Sequence, residues 1–265
     1  MEKIFLLICI VLIGNCAWSQ DTATNKKLTR REEKNQRINA IVKLEEEGQI
    51  HFKSHFIGGF KLTTDGAGAF VEYGKAQTPK KSLLFQLEFT ERKHPKEEKL
   101  QNDYSPTAPV IYGKINYFYP VKLGVQQQFL LGNKGNKNGV SVTANFGGGI
   151  ILGLLRPYLV EVDKGNDTLV FVGYNSPDSN YFLNGPIVGG PSISEGWNKL
   201  KLVPGFYIKP SLRFDYGKYN EMVSAIEIGL TAEYYTKKIQ QMINIKQHQF
   251  FLSAYVGIVF GKRKS

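Results

Sequence analysis

Four histidines, His51, His55, His94 and His248, are the side chains of this chain whose ordinary pKa suits proton transfer near neutral pH. Hydrolysis would need one of them beside a serine and a carboxylate, so that the imidazole can take the hydroxyl proton. The nearest pair is His248 with Ser253. Their separation is odd, so on an extended segment they fall on opposite faces and the geometry fails. His51 and His55 could be read as metal ligands, but on a strand their spacing is roughly 13 Å, too far for one ion. Cys9 and Cys16 both lie in the N-terminal apolar segment, so the chain beyond it holds no cysteine for a disulfide or a metal. Gly147-Gly148-Gly149 and Gly189-Gly190 lack the strand-to-helix setting that phosphate binding needs, and read as close packing and loop flexibility. No catalytic residue, metal site or cofactor is expected, and the chain is expected not to be an enzyme.

A second set of residues is more informative. Between Val203 and Phe260, three stretches alternate apolar and polar residues at period two. Phe206, Ile208, Pro210, Leu212, Phe214 and Tyr216 oppose Tyr207, Lys209, Ser211, Arg213 and Asp215. Ile226, Ile228, Leu230, Ala232 and Tyr234 oppose Glu227, Gly229, Thr231, Glu233 and Tyr235. Phe250, Leu252, Ala254, Val256, Ile258 and Phe260 oppose Phe251, Ser253, Tyr255, Gly257 and Val259. Side chains alternate across a strand, so each stretch has one apolar face and one mixed face. A soluble exported β-sandwich has the same alternation, and context must separate the two.

The N-terminus supplies context. Lys3 precedes the apolar run Ile4–Ile13, and Ala17-Trp18-Ser19 offers a small-residue cleavage site before Gln20. That run is too short to span a bilayer as a helix, and residues 1–19 read as a signal peptide. Cys16 follows Asn15, where a lipoprotein signal would have a small residue. Glu2 and Lys3 cancel, so the remaining chain keeps the formal charge of +11. For an exported chain that excess points to phosphate-bearing lipid headgroups rather than nucleic acid. No later run is long and apolar enough for a transmembrane helix, so insertion into a membrane would require a closed barrel.

Residues 20–50 are rich in Lys, Arg, Glu, Asn and Gln. They read as a short helical arm, with Thr29–Glu32 as a capping box, Glu33 and Arg37 as an i,i+4 pair and Gly48 as a stop. The arm would either dock on a periplasmic partner or pack as a solvated leader on the barrel rim. Residues 51–265 read as strands and turns. Strands are expected near Phe52–Leu62, Ala67–Ala76, Ser82–Arg92, Pro109–Tyr119, Val121–Leu131 and Val140–Leu154, followed by the three alternating stretches.

Nine strands cannot close a barrel with both ends on one side, because that requires an even number. The hairpin Tyr158–Val162 and Thr168–Tyr174 supplies a tenth, and ten strands are expected. Eight remain open if the hairpin stands inside a loop and another element is misread. With ten, Thr78–Lys80, Tyr119-Pro120, Asp163–Asp167 and Gly217–Glu221 become short turns on the periplasmic side. Glu91–Ala108, Gly132–Gly139, Asn175–Lys201 and Thr236–Gln247 become the longer loops outside. Short inner turns and long outer loops mark bacterial outer-membrane barrels.

On these features, with the signal ending Trp18-Ser19-Gln20 and the final strand Phe250–Phe260, the chain resembles the small outer-membrane β-barrel proteins of Gram-negative bacteria. It is most similar to the PorT-like and OmpX-like, porin-like barrels common in Bacteroidetes. The resemblance implies an all-β, antiparallel up-and-down transmembrane barrel in the outer membrane of the cell envelope. It also implies outer-membrane lipid, barrel-assembly machinery and envelope or secretion proteins as partners. The final strand would be the one the machinery reads, with Tyr255 and Phe260 as its aromatics, although the chain continues past Phe260 as Gly261-Lys262-Arg263-Lys264-Ser265.

In such a barrel the mixed faces point inward and place Glu88, Lys114, Lys209, Arg213, Asp215, Glu227 and Glu233 in the lumen. Antiparallel pairing should bring Arg213 opposite the neighbourhood of Glu227 and set Lys209 within diagonal reach of Glu233. The lumen would then be either a plug of paired charges or the lining of a narrow channel for small solutes. Tyr117, Tyr119, Tyr216, Tyr234 and Tyr235 suit interfacial girdles. Lys93, Lys96 and Lys99, with Arg92, could clamp lipid phosphates or simply be a solvated loop, given Glu91, Glu97 and Glu98 among them. The function expected is structural, interactive or secretion-associated, with the channel, or an enzyme acting on envelope lipid, as alternatives.

Overall fold

A computed structural model of the chain describes residues 52–100, 109–134, 139–165, 168–177, 179–192, 194–217 and 221–264. The signal segment 1–19, the arm 20–50 and His51 lie outside them. The described residues belong to one compact unit, Leu44–Ser265.

In chain order the strands are β1 (Ser54–Thr63), β2 (Gly66–Thr78), β3 (Lys81–Arg92), β4 (Lys99–Leu100), β5 (Val110–Ile111), β6 (Asn116–Gly132) and β7 (Ser141–Pro157). They continue as β8 (Leu159–Asp163), β9 (Leu169–Gly173), β10 (Ile187–Gly189), β11 (Lys201–Asp215), β12 (Met222–Ile239) and β13 (His248–Lys264). A short helix α1 (Ser179–Asn184) lies between β9 and β10. Eight of the strands close into an antiparallel ring in the order β1-β13-β12-β11-β7-β6-β3-β2. Closure pairs Ser54–Thr63 with the run from Lys264 back to Tyr255, and Lys53 N–H donates to the Lys264 carbonyl at 2.8 Å. The basic residues after Phe260 therefore belong to the closing strand.

The ring holds eight strands, the alternative left open by the sequence, rather than the ten favoured, and two features explain the difference. Tyr119-Pro120 is not a turn: β6 runs straight through it from Asn116 to Gly132. Proline has no N–H to give a ladder, and the β3–β6 pairing lapses at Tyr119-Pro120, between Phe89↔Val121 and Arg92↔Phe118, without any change of register. The hairpin is real but lies outside the ring. Strands β8 and β9 join β10 in a separate sheet, ordered β10-β8-β9. The connection around residues 133–140, expected on the outer side, consequently moves to the end that holds Lys53 and Lys264.

That end carries the connections β2–β3, β6–β7 and β11–β12. The other end carries the β1–β2 turn and three longer connections. Among these, β4–β5, β8–β9–β10 and α1 build a cap around Ile111, Tyr158, Val160, Val162, Val172 and Phe182. The Tyr158 hydroxyl accepts a bond from Ile111 N–H at 2.7 Å, and burial pushes that phenol above its usual pKa. Gly113, with φ 72, makes the left-handed step from β5 into β6.

The wall is inside out relative to a water-soluble barrel. Phe60, Phe206 and Leu252 are each about two-thirds exposed, at 65%, 65% and 64%. Comparable outward apolar side chains occur on all eight ring strands, among them Tyr73, Phe85, Leu123, Ile150 and Ile228. Buried positions on the same strands are largely polar or charged.

Candidate functional site

Inside the ring, charges of opposite sign stack from one mouth to the other. At the end that holds Lys53 and Lys264, Asp215 receives Arg263 and, at 3.5 Å, Lys134. Deeper, Arg213 grips Glu72 through both terminal nitrogens, at 2.9 and 2.8 Å, and reaches Glu227 at 2.6 Å. The same Glu72 meets His55 Nε2 at 3.1 Å, which gives that histidine a role in the stack. Its ring fits there because Gly74, on β2, has no Cβ to collide with it.

At mid-height Lys209 lies 3.2 Å from Glu227 and 3.7 Å from Glu88. Glu88 also binds Lys61 at 2.5 Å and Lys122 at 2.6 Å. The Tyr255 hydroxyl donates to Glu227 at 2.6 Å, and its ring faces Lys61 and Lys209 at 4.7 and 4.8 Å. Gln86 and Gln126 fill the remaining width, with Gln126 donating to Gln86.

Toward the cap, Glu233 accepts from Arg92 at 2.7 Å and from the Tyr235 hydroxyl at 2.8 Å, and forms an ion pair with Lys122 at 2.8 Å. Arg92 is a knot of this end. It bonds Asp65 in the β1–β2 turn at 2.5 Å and Ser253 on β13 at 3.0 Å, and it lies 4.7 Å above the ring of Phe251. Tyr235 packs edge to face with both Phe118 and Phe251, which meet each other at a tilt, with centroids 5.4 to 6.0 Å apart.

Six of the seven residues expected in the lumen lie in this stack: Glu88, Lys209, Arg213, Asp215, Glu227 and Glu233, all buried. Lys114 does not. It precedes β6, under the cap, where it binds Glu97 at 2.6 Å and burial pulls its ammonium below the usual lysine range. Arg213 does sit opposite Glu227 in register, but Lys209 turns to Glu227 and Glu88 and leaves Glu233 to Lys122 and Arg92. The barrel is narrow enough for inward side chains to reach across from other strands, so pairing along one hairpin is not the governing geometry.

Lys61, Glu72 and Lys122 were not singled out from sequence, and Arg92 was read only with the lysine-rich loop, although the period-two rule covers all four. Each of Lys61, Glu72 and Lys122 stands between two outward apolar residues. Arg92 points into the barrel and takes no part in the lysine-rich loop that follows it. Tyr235 is likewise inside, with no exposure, and so is not a girdle residue, whereas Tyr216 and Tyr234 are exposed on the outer wall. Tyr117 and Tyr119 flank Arg156, which also lies against Trp197 at 4.9 Å. On the final strand Tyr255 points inward and Phe260 outward.

His248 is exposed while Ser253 is buried against Arg92, so the two are on opposite faces. No cluster of three metal-ligating side chains occurs among the described residues.

No protein-family model and no curated protein matches the sequence. Among solved structures, the N-terminal β-barrel domain of Pseudomonas aeruginosa OprF is 11% identical, covering 79% of this chain and 98% of that one, with a TM-score of 0.34. Ail, the attachment invasion locus protein of Yersinia pestis, is 9% identical over 80% of this chain and 99% of its own, with a TM-score of 0.37. Neisserial surface protein A is 8% identical over 79% and 94%, with a TM-score of 0.36. The ring of paired strands, rather than these likenesses, carries the fold.

Proposed function

We propose that this chain is an integral outer-membrane β-barrel protein, exported by residues 1–19, with a structural or interaction role and a lumen closed by ion pairs. The observation that carries the membrane reading is the apolar outer wall. Monomeric soluble proteins rarely expose contiguous apolar patches above a few hundred Å², and here such residues encircle the ring. From Phe206 to Tyr216 the belt spans about 33 Å of strand, or roughly 25 Å of height at the usual tilt, which matches a bilayer core.

The closed lumen supports a role other than conduction. Lys209 and Glu227 at mid-height are each 0% exposed. Side chains that water cannot touch leave no water-filled path between them. The interaction reading draws on the cap, which has its own apolar cluster and a pocket of about 340 Å³ between Ile111, Val160, Phe182 and Ile243. Envelope or secretion proteins are the proposed partners there, with lipid around the belt and barrel-assembly machinery at β13. Against an enzyme stand the opposed faces of His248 and Ser253.

Two measurements test the proposal. The folded chain should migrate differently on gels before and after boiling and should fractionate with detergent-extracted outer membrane. In planar bilayers it should give no steady current, and a stable open-channel conductance would replace this reading with the solute channel.

A further inference from the structure

Among the described residues, part of the basic excess gathers at one mouth of the ring. Around the mouth that holds Lys53 and Lys264, the neighbouring strands β13, β1, β2 and β3 end in lysines: Lys262 and Lys264, Lys53, Lys75, then Lys80 and Lys81, all exposed. The described residues 52–56, 73–83 and 260–264 contain no Asp or Glu. Strand register orders part of this arc. Ser54 pairs with Lys264 on one side and with Lys75 on the other. Alternation turns all three outward, in the same sense as Phe56, Tyr73 and Phe260.

Adjacent strands are about 4.8 Å apart, so the two lysine Cα atoms stand roughly 10 Å from one another across Ser54, within easy convergence of two flexible ammonium groups. Beside this row lies a cleft of about 330 Å³ between Phe52–Lys53 and the stretch 75–82, with Lys53 and Lys75 on its walls. The Lys53 carbonyl accepts from Ala76 N–H at 2.9 Å, which fixes one wall to the other.

On the other side of the row the outer wall becomes apolar at once, at Phe56, Tyr73 and Phe260. A ligand that suits both must carry an anionic phosphate above apolar chains. The geometry points to a binding site for the headgroup of an anionic phospholipid in the membrane leaflet at this end, held by Lys75, Lys264, Lys53 and the Ser54 hydroxyl, with its acyl chains along Phe56 and Tyr73. The inference rests on the membrane reading above. It gives part of the charge of +11 a use, because phosphate-bearing lipid collects at a basic rim.

The test is native mass spectrometry of the folded chain, released from dodecyl maltoside micelles equilibrated with equal amounts of phosphatidylglycerol and phosphatidylcholine. Wild type should retain phosphatidylglycerol in preference. The variant K53Q/K75Q/K264Q should lose that preference by about tenfold or more. The variant K201Q/K237Q/K238Q, altered at the opposite end, should keep it. Equal retention of the two lipids by wild type, or an undiminished preference in the first variant, overturns the site. So does displacement of the bound lipid by inorganic phosphate alone, which would make it a simple anion site. The gel shift on boiling is read for every sample. A chain that shifts without lipid preference refutes the site only, whereas a chain that never shifts refutes the membrane barrel with it.

Discussion

At the scale of the residue, Glu88, Asp215, Glu227 and Glu233 are each shared by two or more cations, so the loss of one carboxylate strands several partners. Glu88 is the extreme case, with Lys61, Lys122 and Lys209 within 3.7 Å. Glu88→Gln leaves those ammonium groups short of their counter-charge in a place water does not reach. Breaking a buried pair from one side costs about 3–5 kcal/mol, and the urea midpoint of the gel-shift transition should fall accordingly. Adding Lys61→Met to that variant should recover part of the loss. Glu72 and Arg213, joined by two parallel bonds, offer a cleaner measurement. The cycle of Glu72→Gln and Arg213→Met should give a coupling energy of about 1–3 kcal/mol, and additivity would show that the pair is not acting as a unit.

At the scale of the element, legibility followed how regular the alternation was. Strands β11, β12 and β13 could be read almost residue by residue, because Phe, Ile and Leu alternate there with charge or small polar groups. In β1 and β2 the glycines at 58, 59, 66, 68 and 74 blur that contrast, and Lys61 and Glu72 were passed over. Pro120 misled for a physical reason: proline usually marks a turn, but here its missing N–H falls where the ladder already lapses. Lys114 misled because Gly113 turns the chain before β6 begins, so its parity with the strand carries no meaning. The hairpin β8–β9 obeys every local rule for strands, and nothing local says which sheet it joins. Its position outside the ring is testable. Replacing residues 160–196 by a short Gly-Ser-Asn linker should leave the gel shift on boiling intact, whereas a ten-strand barrel would lose it.

At the scale of the whole molecule, the two faces of the wall answer to different solvents and should respond oppositely to the same charge. An arginine placed at Ile228, in the middle of the belt, should cost about 2–4 kcal/mol of folding stability in vesicles. The inner face already holds charge at every level. The seam between β1 and β13 adds a kinetic consequence. Its partners, from Ser54 with Lys264 to Thr63 with Tyr255, are separated by nearly the whole described chain. Every other ring contact joins strands much nearer in sequence, so the other seven ladders can form progressively while this one must wait for β13 to reach back to β1. Loop closure of that length is slow relative to local pairing. Until then both edges of an unrolled sheet stay open, each an invitation to pair with a second copy or with a helper that lends it an edge. Ring closure is thus the committing step of folding, and removal of residues 261–264, which pair with Ser54–Ile57, should slow that step more than it weakens the finished barrel.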